Sequence, residues 1–427
     1  MPTNRAADLA PVLLCDASWY GTLAAVWDLG GRGVPVTLAQ DTLIAPARFS
    51  RFATRTVRCP PAKDARFVDW LLDFGARYPG HVLYPTSDEV AWHVAAHRDA
   101  LARSFRLYSP PLEALVRVLD KLQLATDARA AGLDVPETAC PRDEAEVAEL
   151  ERAWRFPVFL KPRAQVGSRG AGKGVCVSGP GDLRAAWAQA RATTSYAAEV
   201  RGAIPGVDRP VIQAFHPGSE RIYTVDGFVD ETGALFATLA CTKLLQRPRR
   251  SGAGILFERS PLDPAIVEGL RRLCRATGFH GVFDAEFVEA DGRRLFIDFN
   301  PRFYNHMIFE VDRGLPLPWL AYLAACRELP ALAEAVAQAG TAAPGPSAYV
   351  HSESFSLLLA FQALAGKMPR EARRAWRTWV ASHRGAISDP GRRVDDHGPA
   401  LGVLALELIE FLRHPRGFLR GLIRGSD

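Results

Sequence analysis

Between Phe283 and Arg302 the chain spaces two acids and an amide as a cation site would need them. The stretch reads Phe-Asp-Ala-Glu-Phe-Val-Glu-Ala-Asp-Gly-Arg-Arg-Leu-Phe-Ile-Asp-Phe-Asn-Pro-Arg. Two alternating runs, Phe283 to Glu289 and Arg294 to Phe299, flank Asp291-Gly292, a pair that tolerates the positive φ of a tight hairpin turn. Period-two alternation puts Asp284 and Glu286 on one face of the first strand, and Asp298 and Asn300 on one face of the second. If the hairpin closes in register, Glu286 lies near Asp298 and Asn300. Carboxylates gathered in this way repel each other unless a cation sits between them. Their hard oxygens suit Mg²⁺, with Mn²⁺ as the alternative, at a site that also handles phosphates. Pro301 ends the second strand for want of an N–H, and Arg302 adds a fixed positive charge beside the acids. A hairpin whose polar face is merely solvated shows the same alternation. The rest of the chain decides between the two.

Other stretches carry matching chemistry. Phe156 to Lys161 is a strand that presents Lys161 at its end, followed by the glycine-rich run Gln165 to Gly174 and a further strand, Val175 to Val177. Gly167 to Lys173 has the GxxxxGK spacing, but Gly174 stands where a Ser or Thr would bind Mg²⁺, and no helix follows. The pattern is strand, glycine loop, strand: a flexible hairpin that could lie over phosphates, or a glycine turn with no ligand. Pro210 to Glu220 is a strand ending in a Pro-Gly turn, whose backbone groups can pair with the edge of an adenine ring. Lys243 to Arg250 holds four basic residues in eight. It is either a solvated loop or a cationic clamp on an anionic substrate or transferring phosphate.

The elements that position these residues follow in order. Strand Pro11 to Cys15, a helix to Leu29 closed by Gly30 to Gly33, and strand Val34 to Ala39 form a parallel βαβ unit. A helix from Phe67 to Ala76, a strand from His81 to Pro85 and a helix from Val90 to Leu101, capped by Thr86 to Glu89, extend an open α/β sheet over the first 110 or so residues. The turn at Asp16 to Gly21 lacks GxGxxG, which argues against a dinucleotide there. Asp120-Lys121 opens a helix to Ala131, and Asp263 to Thr277 is a helix capped by Gly278. Beyond the Thr341 to Ser347 linker the composition turns basic. From Gly366 onward twelve Lys and Arg face seven Asp and Glu, an excess equal to the +5 of the whole chain. The last helix, His414 to Arg424, gathers Phe418, Leu419, Leu422 and Ile423 on one side, and Arg416, Arg420 and Arg424 on another. Such a helix either packs on its own protein or lies on an anionic membrane surface.

At 427 residues the chain exceeds a single ordinary core. Its 48% hydrophobic and 23% charged content is that of a globular protein. The start lacks the pattern of a signal peptide, and no apolar run reaches a membrane span, so a cytoplasmic location is expected, with membrane association through the tail as the variant. Seven scattered cysteines without a CxxC pair indicate reduced thiols, not a disulfide frame or a zinc site. The modest charge gives no support to nucleic-acid binding.

Together these segments resemble the ATP-grasp superfamily, in particular its carboligase branch akin to carbamoyl-phosphate synthase and D-aspartate ligase. The likeness covers about residues 10 to 330 and extends to the Asp395 to Pro399 turn. Lys121 matches the basic residue that starts the grasp and touches phosphate. Lys161, with Ser168 and Gly170 of the glycine loop, matches the lysine and flap over the α- and β-phosphates. Gln213, Ala214, Phe215 and His216 match the hinge that meets adenine, and Glu220 the residue that binds the ribose hydroxyls. Glu286, Asp298 and Asn300 match the metal triad, and Arg302 the arginine of the Asn-Pro-Arg signature. Two positions depart from the pattern: the family usually has Glu where Asp298 and Gln213 stand.

The resemblance implies a Rossmann-like pre-ATP-grasp domain (1–112), two ATP-grasp lobes (113–195 with the flap, 196–340 with the metal site) and a mostly helical, basic C-terminal extension (341–427). It implies ATP and Mg²⁺ as cofactors and small, amino-acid-like carboxylate and amine substrates, and leaves room for a homodimer. The implied reaction is carboxylate–amine ligation through an acyl phosphate. Arg302, Lys161 and Lys243 would supply positive charge to the transferring group. A kinase, a bicarbonate-using carboxylase and a non-catalytic ATP-binding protein are the alternatives on the same fold. Ser18, Tyr20, Asp88, Glu89, Arg247 and Arg259 are candidates for contacting substrate.

Overall fold

The computed structural model describes residues 9–170, 172, 174–216, 221–248, 252–339 and 345–423. Glu220, Lys173, Arg249, Arg250 and Arg424, and residues 341–344 of the expected linker, lie outside the described residues. The fold is mixed α/β and carries three main sheets. The first is parallel, in the order Ala53–Arg58, Val36–Gln40, Val12–Leu14, Val82–Leu83, Arg106–Leu107. Its three central strands are short and buried on both faces, as a parallel sheet between helices requires, and the two edge strands are more exposed. Helix Tyr20–Gly31 follows its first strand. Gly21 leaves that helix no room for a side chain, because a Cβ there would stand 2.6 Å from the Tyr304 carbonyl. The first sheet is thereby pressed against the loop that follows the acidic hairpin.

The second sheet is antiparallel, in the order Thr138–Ala139, Val211–Ala214, Val158–Lys161, Val175–Val177. The expected hairpin across the glycine loop is present: Leu160 pairs with Val175 and Val158 with Val177. Inside the loop Ser168–Arg169 makes a small extra ladder with Ser195–Tyr196.

The third and largest sheet runs Arg293–Asn300, Gly281–Ala290, Ile222–Val229, Phe236–Arg247, Ala253–Ser260, Ala348–Val350, Ile387–Ser388. One face is apolar. Phe283, Phe287, Phe296 and Phe299 are buried there with Leu115, Leu124 and Leu270 from neighbouring helices. The other face carries the acids. Lys243 to Arg247, taken from the sequence as a loop or clamp, continues a strand and pairs with the one beginning at Ala253.

The C-terminal segment is mostly helical, and it also adds two strands to the largest sheet. Asp396 fastens it to helix Tyr20–Gly31 and to the turn before strand Ala53–Arg58, accepting from the Trp27 indole at 2.8 Å, from the Arg51 N–H at 3.2 Å and from the Ser50 hydroxyl. In the last helix, Pro415–Ile423, Phe418 and Leu422 turn inward onto Leu245, Val350 and Phe355. The apolar side expected on that helix therefore packs on the protein itself. The exposed apolar stripe lies one helix earlier, in Gly398–Arg413, at Leu401, Leu404, Leu408 and Leu412, each between 55% and 68% exposed. Among the described residues no helix is long and apolar enough to cross a membrane.

Candidate functional site

The hairpin closes as its alternation requires, with Asp284 opposite Asn300 and Glu286 opposite Asp298. Past that pair the ladder slips by one residue, so that Phe287 faces Phe296 and Ile297 is left over. This bulge has two consequences. It turns Phe296 into the core, where unbroken alternation would have left it among the acids, and it frees the Ile297 carbonyl from the ladder. Lys161 takes up that carbonyl, its ammonium donating to Ile297 O at 3.1 Å and to Gln213 Oε1 at 3.0 Å.

Three further cations converge from different elements. Lys121, in the first turn of helix Lys121–Ala130, reaches Asp298 Oδ1 at 2.6 Å. Lys243, on the large sheet, reaches Glu286 Oε1 at 2.7 Å. Arg302 donates to Asp88 Oδ1 at 3.0 Å and to Asn300 Oδ1 at 2.9 Å, and its guanidinium lies 5.7 Å from the Trp19 ring centroid. Asn300 completes the chain by donating to Asp284 Oδ2 at 3.0 Å. Lys121, Lys161, Lys243, Arg302, Gln213, Glu286, Asp298 and Asn300 are thus brought together.

The electrostatics follow from this crowding. Burial, with Lys121 adding repulsion, lowers Lys161 to about 7 against the pull of Asp298 and Glu286. Burial also acts against charge on Lys243, but Glu286 outweighs it and the net direction is upward. Asp298 is raised by burial and lowered more strongly by Lys121 and Lys161, so it stays below the usual carboxylate range. Burial disfavours the Arg302 charge, and Asp88 and Asp284 more than compensate. Chemically, this is a cleft of oxygen donors rimmed by ammonium and guanidinium groups. The donor set of Glu286, Asp298 and Asn300 fits a hard divalent cation, and the rim fits the anions such a cation carries.

The remaining expected residues stand further out. Ser168 donates to the Gln165 carbonyl within its own loop. Gly170, at φ +77°, and Lys161 line one cavity of about 350 Å³ behind the flap. The Ala214 and Phe215 N–H groups are taken by the carbonyls of Glu137 and Pro157, so an adenine edge at this hinge would have to use groups beyond them. Among the substrate candidates, Asp88 holds Arg302, Glu89 pairs with Lys63, and Arg247 pairs with Glu407 at 2.7 Å. Tyr20 packs edge-on against His351.

Two groups take positioning roles that the sequence reading did not assign. Asp120 caps the helix of Lys121, accepting from the Leu122 and Gln123 N–H groups, and grips Arg163 through two bonds at 2.6 and 2.8 Å. Arg163 follows Lys161 by two residues, and its carbonyl accepts from the Lys121 N–H at 2.9 Å. One buried ion pair thus locks the carriers of two site lysines together. The visible signal was the acid directly before Lys121; its partner 43 residues away was not readable. The second group is Asp284, which orients Asn300.

No family model matches the chain, and no curated protein does. Solved structures do. A biotin carboxylase–β,γ-ATP complex from Campylobacter jejuni superposes with a TM-score of 0.59 at 17% identity, over 74% of this chain and 71% of that one. An L-amino acid ligase from Bacillus licheniformis gives 0.53 at 15% identity, over 74% of each chain. An N5-carboxyaminoimidazole synthetase from Staphylococcus aureus gives 0.55 at 12% identity, over 74% of this chain and 77% of that one. These are ATP-grasp enzymes, and the chain has the ATP-grasp fold.

Proposed function

We propose that the protein is an ATP-dependent carboxylate–amine ligase that forms an amide through an acyl phosphate and releases ADP and phosphate. The observation that carries this reading is the facing pair Glu286 and Asp298, ringed by Lys121, Lys161, Lys243 and Arg302 from four separate elements. Glu286, Asp298 and Asn300 would hold Mg²⁺ or Mn²⁺, which when bound neutralises charge on the transferring phosphoryl group. Lys121 and Lys161 would meet the nucleotide phosphates, under the flap that carries Ser168 and Gly170. Gln213 to His216 would border adenine. Arg302, fixed by Asp88 and Asn300, and Lys243, fixed by Glu286, would keep positive charge at the reacting group. No side-chain nucleophile is required, because a substrate carboxylate attacks and an amine then displaces phosphate.

The units in this reading are 1–112, 113–195 and 196–340, with 341–427 closing the substrate side. A cavity of about 460 Å³ lies between Tyr20, Arg247, Asn305, His351, Glu407 and Phe418, and it would admit an amino-acid-sized substrate. The L-amino acid ligase of the same fold favours that substrate class. The test is ADP and phosphate release over a panel of carboxylate and amine pairs, with the product identified by mass. Release is expected to depend on both substrates. It should fall by orders of magnitude in Asp298→Ala; a change within about twofold, under 0.5 kcal/mol of barrier, would refute the assignment.

A further inference from the structure

One strand inward from Glu286, on the same sheet face, lies a second group of ligand-type side chains. Asp226 stands opposite Asp284 on the neighbouring strand, and Cys241 stands opposite Thr224 on the next. His306 and Glu310 project from the start of helix Met307–Asp312 at a spacing of four, which puts them on one helical face. One carboxylate oxygen each from Asp226 and Glu310, the Cys241 sulfur and a His306 ring nitrogen all lie within 4.8 Å of one another. The four residues are 0%, 0%, 0% and 4% exposed in that order.

Their hydrogen bonding is incomplete. Thr224 donates to Asp226 Oδ2 at 3.0 Å, and the Tyr304 hydroxyl donates to Glu310 Oε2 at 3.2 Å. Asp226 Oδ1, His306 Nε2 and Glu310 Oε1 are buried without a hydrogen-bond partner. Arg313 is the nearby cation, but its Nη1 stays 3.7 Å from Glu310 Oε1 and makes no hydrogen bond. Polar atoms this deep are costly when unmet. The spacing suggests what could meet them. Bonds of about 2.0–2.3 Å in a tetrahedral site give ligand–ligand edges of about 3.3–3.8 Å. His306 Nε2 and Cys241 Sγ stand 3.4 and 3.6 Å from Asp226 Oδ2.

We propose that Asp226, Cys241, His306 and Glu310 bind one divalent ion of the zinc class in a closed, structural site. Sulfur and imidazole donors suit such an ion, and they set the site apart from the all-oxygen set of Glu286, Asp298 and Asn300. The ion would tie two strands of the large sheet to the loop that carries Arg302, four residues before His306. It neither requires nor excludes the ligase reading.

The experiment uses the full chain, purified without chelator. Elemental analysis should find about one equivalent of zinc-class metal per chain, as a four-ligand protein site retains. Exchange with Co²⁺ should give visible bands of tetrahedral cobalt and a near-ultraviolet thiolate-to-cobalt band. These should persist in excess Mg²⁺, which competes for oxygen sites. Cys241→Ser should lose the near-ultraviolet band, and His306→Gln should weaken metal retention. The proposal is overturned if folded wild-type chain takes up neither Zn²⁺ nor Co²⁺, or if the near-ultraviolet band survives in Cys241→Ser. Should either variant fail to fold, the wild-type metal count and cobalt spectrum still decide.

Discussion

Removing the lock between Asp120 and Arg163 should loosen the grip of two lysines at once. The pair is nearly closed to water, with side chains 5% and 11% exposed, and both guanidinium bonds are short. At an effective dielectric near 20, two unit charges about 4 Å apart attract by about 4 kcal/mol, and stranding one partner of a buried pair costs about 3–5 kcal/mol. Asp120→Ala also removes the helix cap, worth about 1 kcal/mol. Arg163→Met keeps the cap but leaves the Asp120 carboxylate without its cation. Each single variant should therefore destabilise by about 3 kcal/mol or more, the double by less than the sum, with a coupling of about 2 kcal/mol. Urea unfolding of the four chains, followed by circular dichroism and tryptophan fluorescence, measures this. ATP turnover at sub-saturating nucleotide measures displacement of Lys121 and Lys161. Additive effects, or single variants within about 1 kcal/mol of wild type, would refute the reasoning that the pair acts as a buried lock.

Two further outcomes test the flap and the C-terminal segment. At Gly170, φ is +77° and a Cβ would stand 2.1 Å from the Thr193 carbonyl, whereas a Cβ at Gly172 meets nothing within 4 Å. Gly170→Ala should thus raise the KM for ATP by about tenfold or more while Gly172→Ala stays near wild type, since strain of about 1–3 kcal/mol falls on the first alone; equal effects would remove the steric argument. Burial raises Glu353, but His351 and Arg392 lower it further, to about 2. Because this folded value lies below the unfolded one near 4.5, the stabilisation is complete above about pH 4.5 and is lost as pH falls towards 2. The stability difference between wild type and Glu353→Gln, followed by thermal midpoints, should shrink across that window; a constant difference would exclude Glu353 as the titrating group.

What the sequence disclosed was local. The Phe283 to Arg302 hairpin was legible because alternation and an Asp-Gly turn are properties of neighbouring residues. The cap at Asp120 was equally local. The bulge at Ile297 was not legible, since Leu295, Phe296 and Ile297 are consecutive apolar residues and only the partner strand decides which is left out. Lys243 to Arg247 gave a loop signal by charge, yet pairing with the strand from Ala253 holds it extended and sends Arg247 to Glu407. Asp226, Cys241, His306 and Glu310 lie up to 84 positions apart on three elements, and their common point exists only after the sheet forms. Cysteine spacing, the signal used to set zinc aside, has no bearing on a site with one sulfur.

The position of Gln213 shows how a neutral amide in place of a charge changes the physics of a site. Its amide oxygen accepts from Lys161 at 3.0 Å and its nitrogen donates to the Thr138 hydroxyl at 3.0 Å. A glutamate there would give the buried ammonium a counter-charge; the glutamine gives it a hydrogen bond only. Burial and the repulsion of Lys121 then outweigh the pull of the more distant Asp298 and Glu286, and Lys161 falls to about 7 from its ordinary value near 10.5. A depressed lysine penalises the fold most fully below about pH 7, and the penalty fades as pH rises towards 10.5. Gln213→Glu should therefore stabilise the chain most between about pH 5 and 7, where both groups are charged, by about 1.4 kcal/mol for each tenfold gain in proton affinity at Lys161, less the cost of burying the carboxylate and of turning the Thr138 hydroxyl off the Pro136 carbonyl. The gain should vanish near pH 10. The same substitution holds the Lys161 ammonium, which would otherwise meet the phosphates, in an ion pair, so the KM for ATP should rise as stability rises. A variant no more stable at pH 6 than at pH 10 would show that the amide, and not the missing charge, sets the state of Lys161.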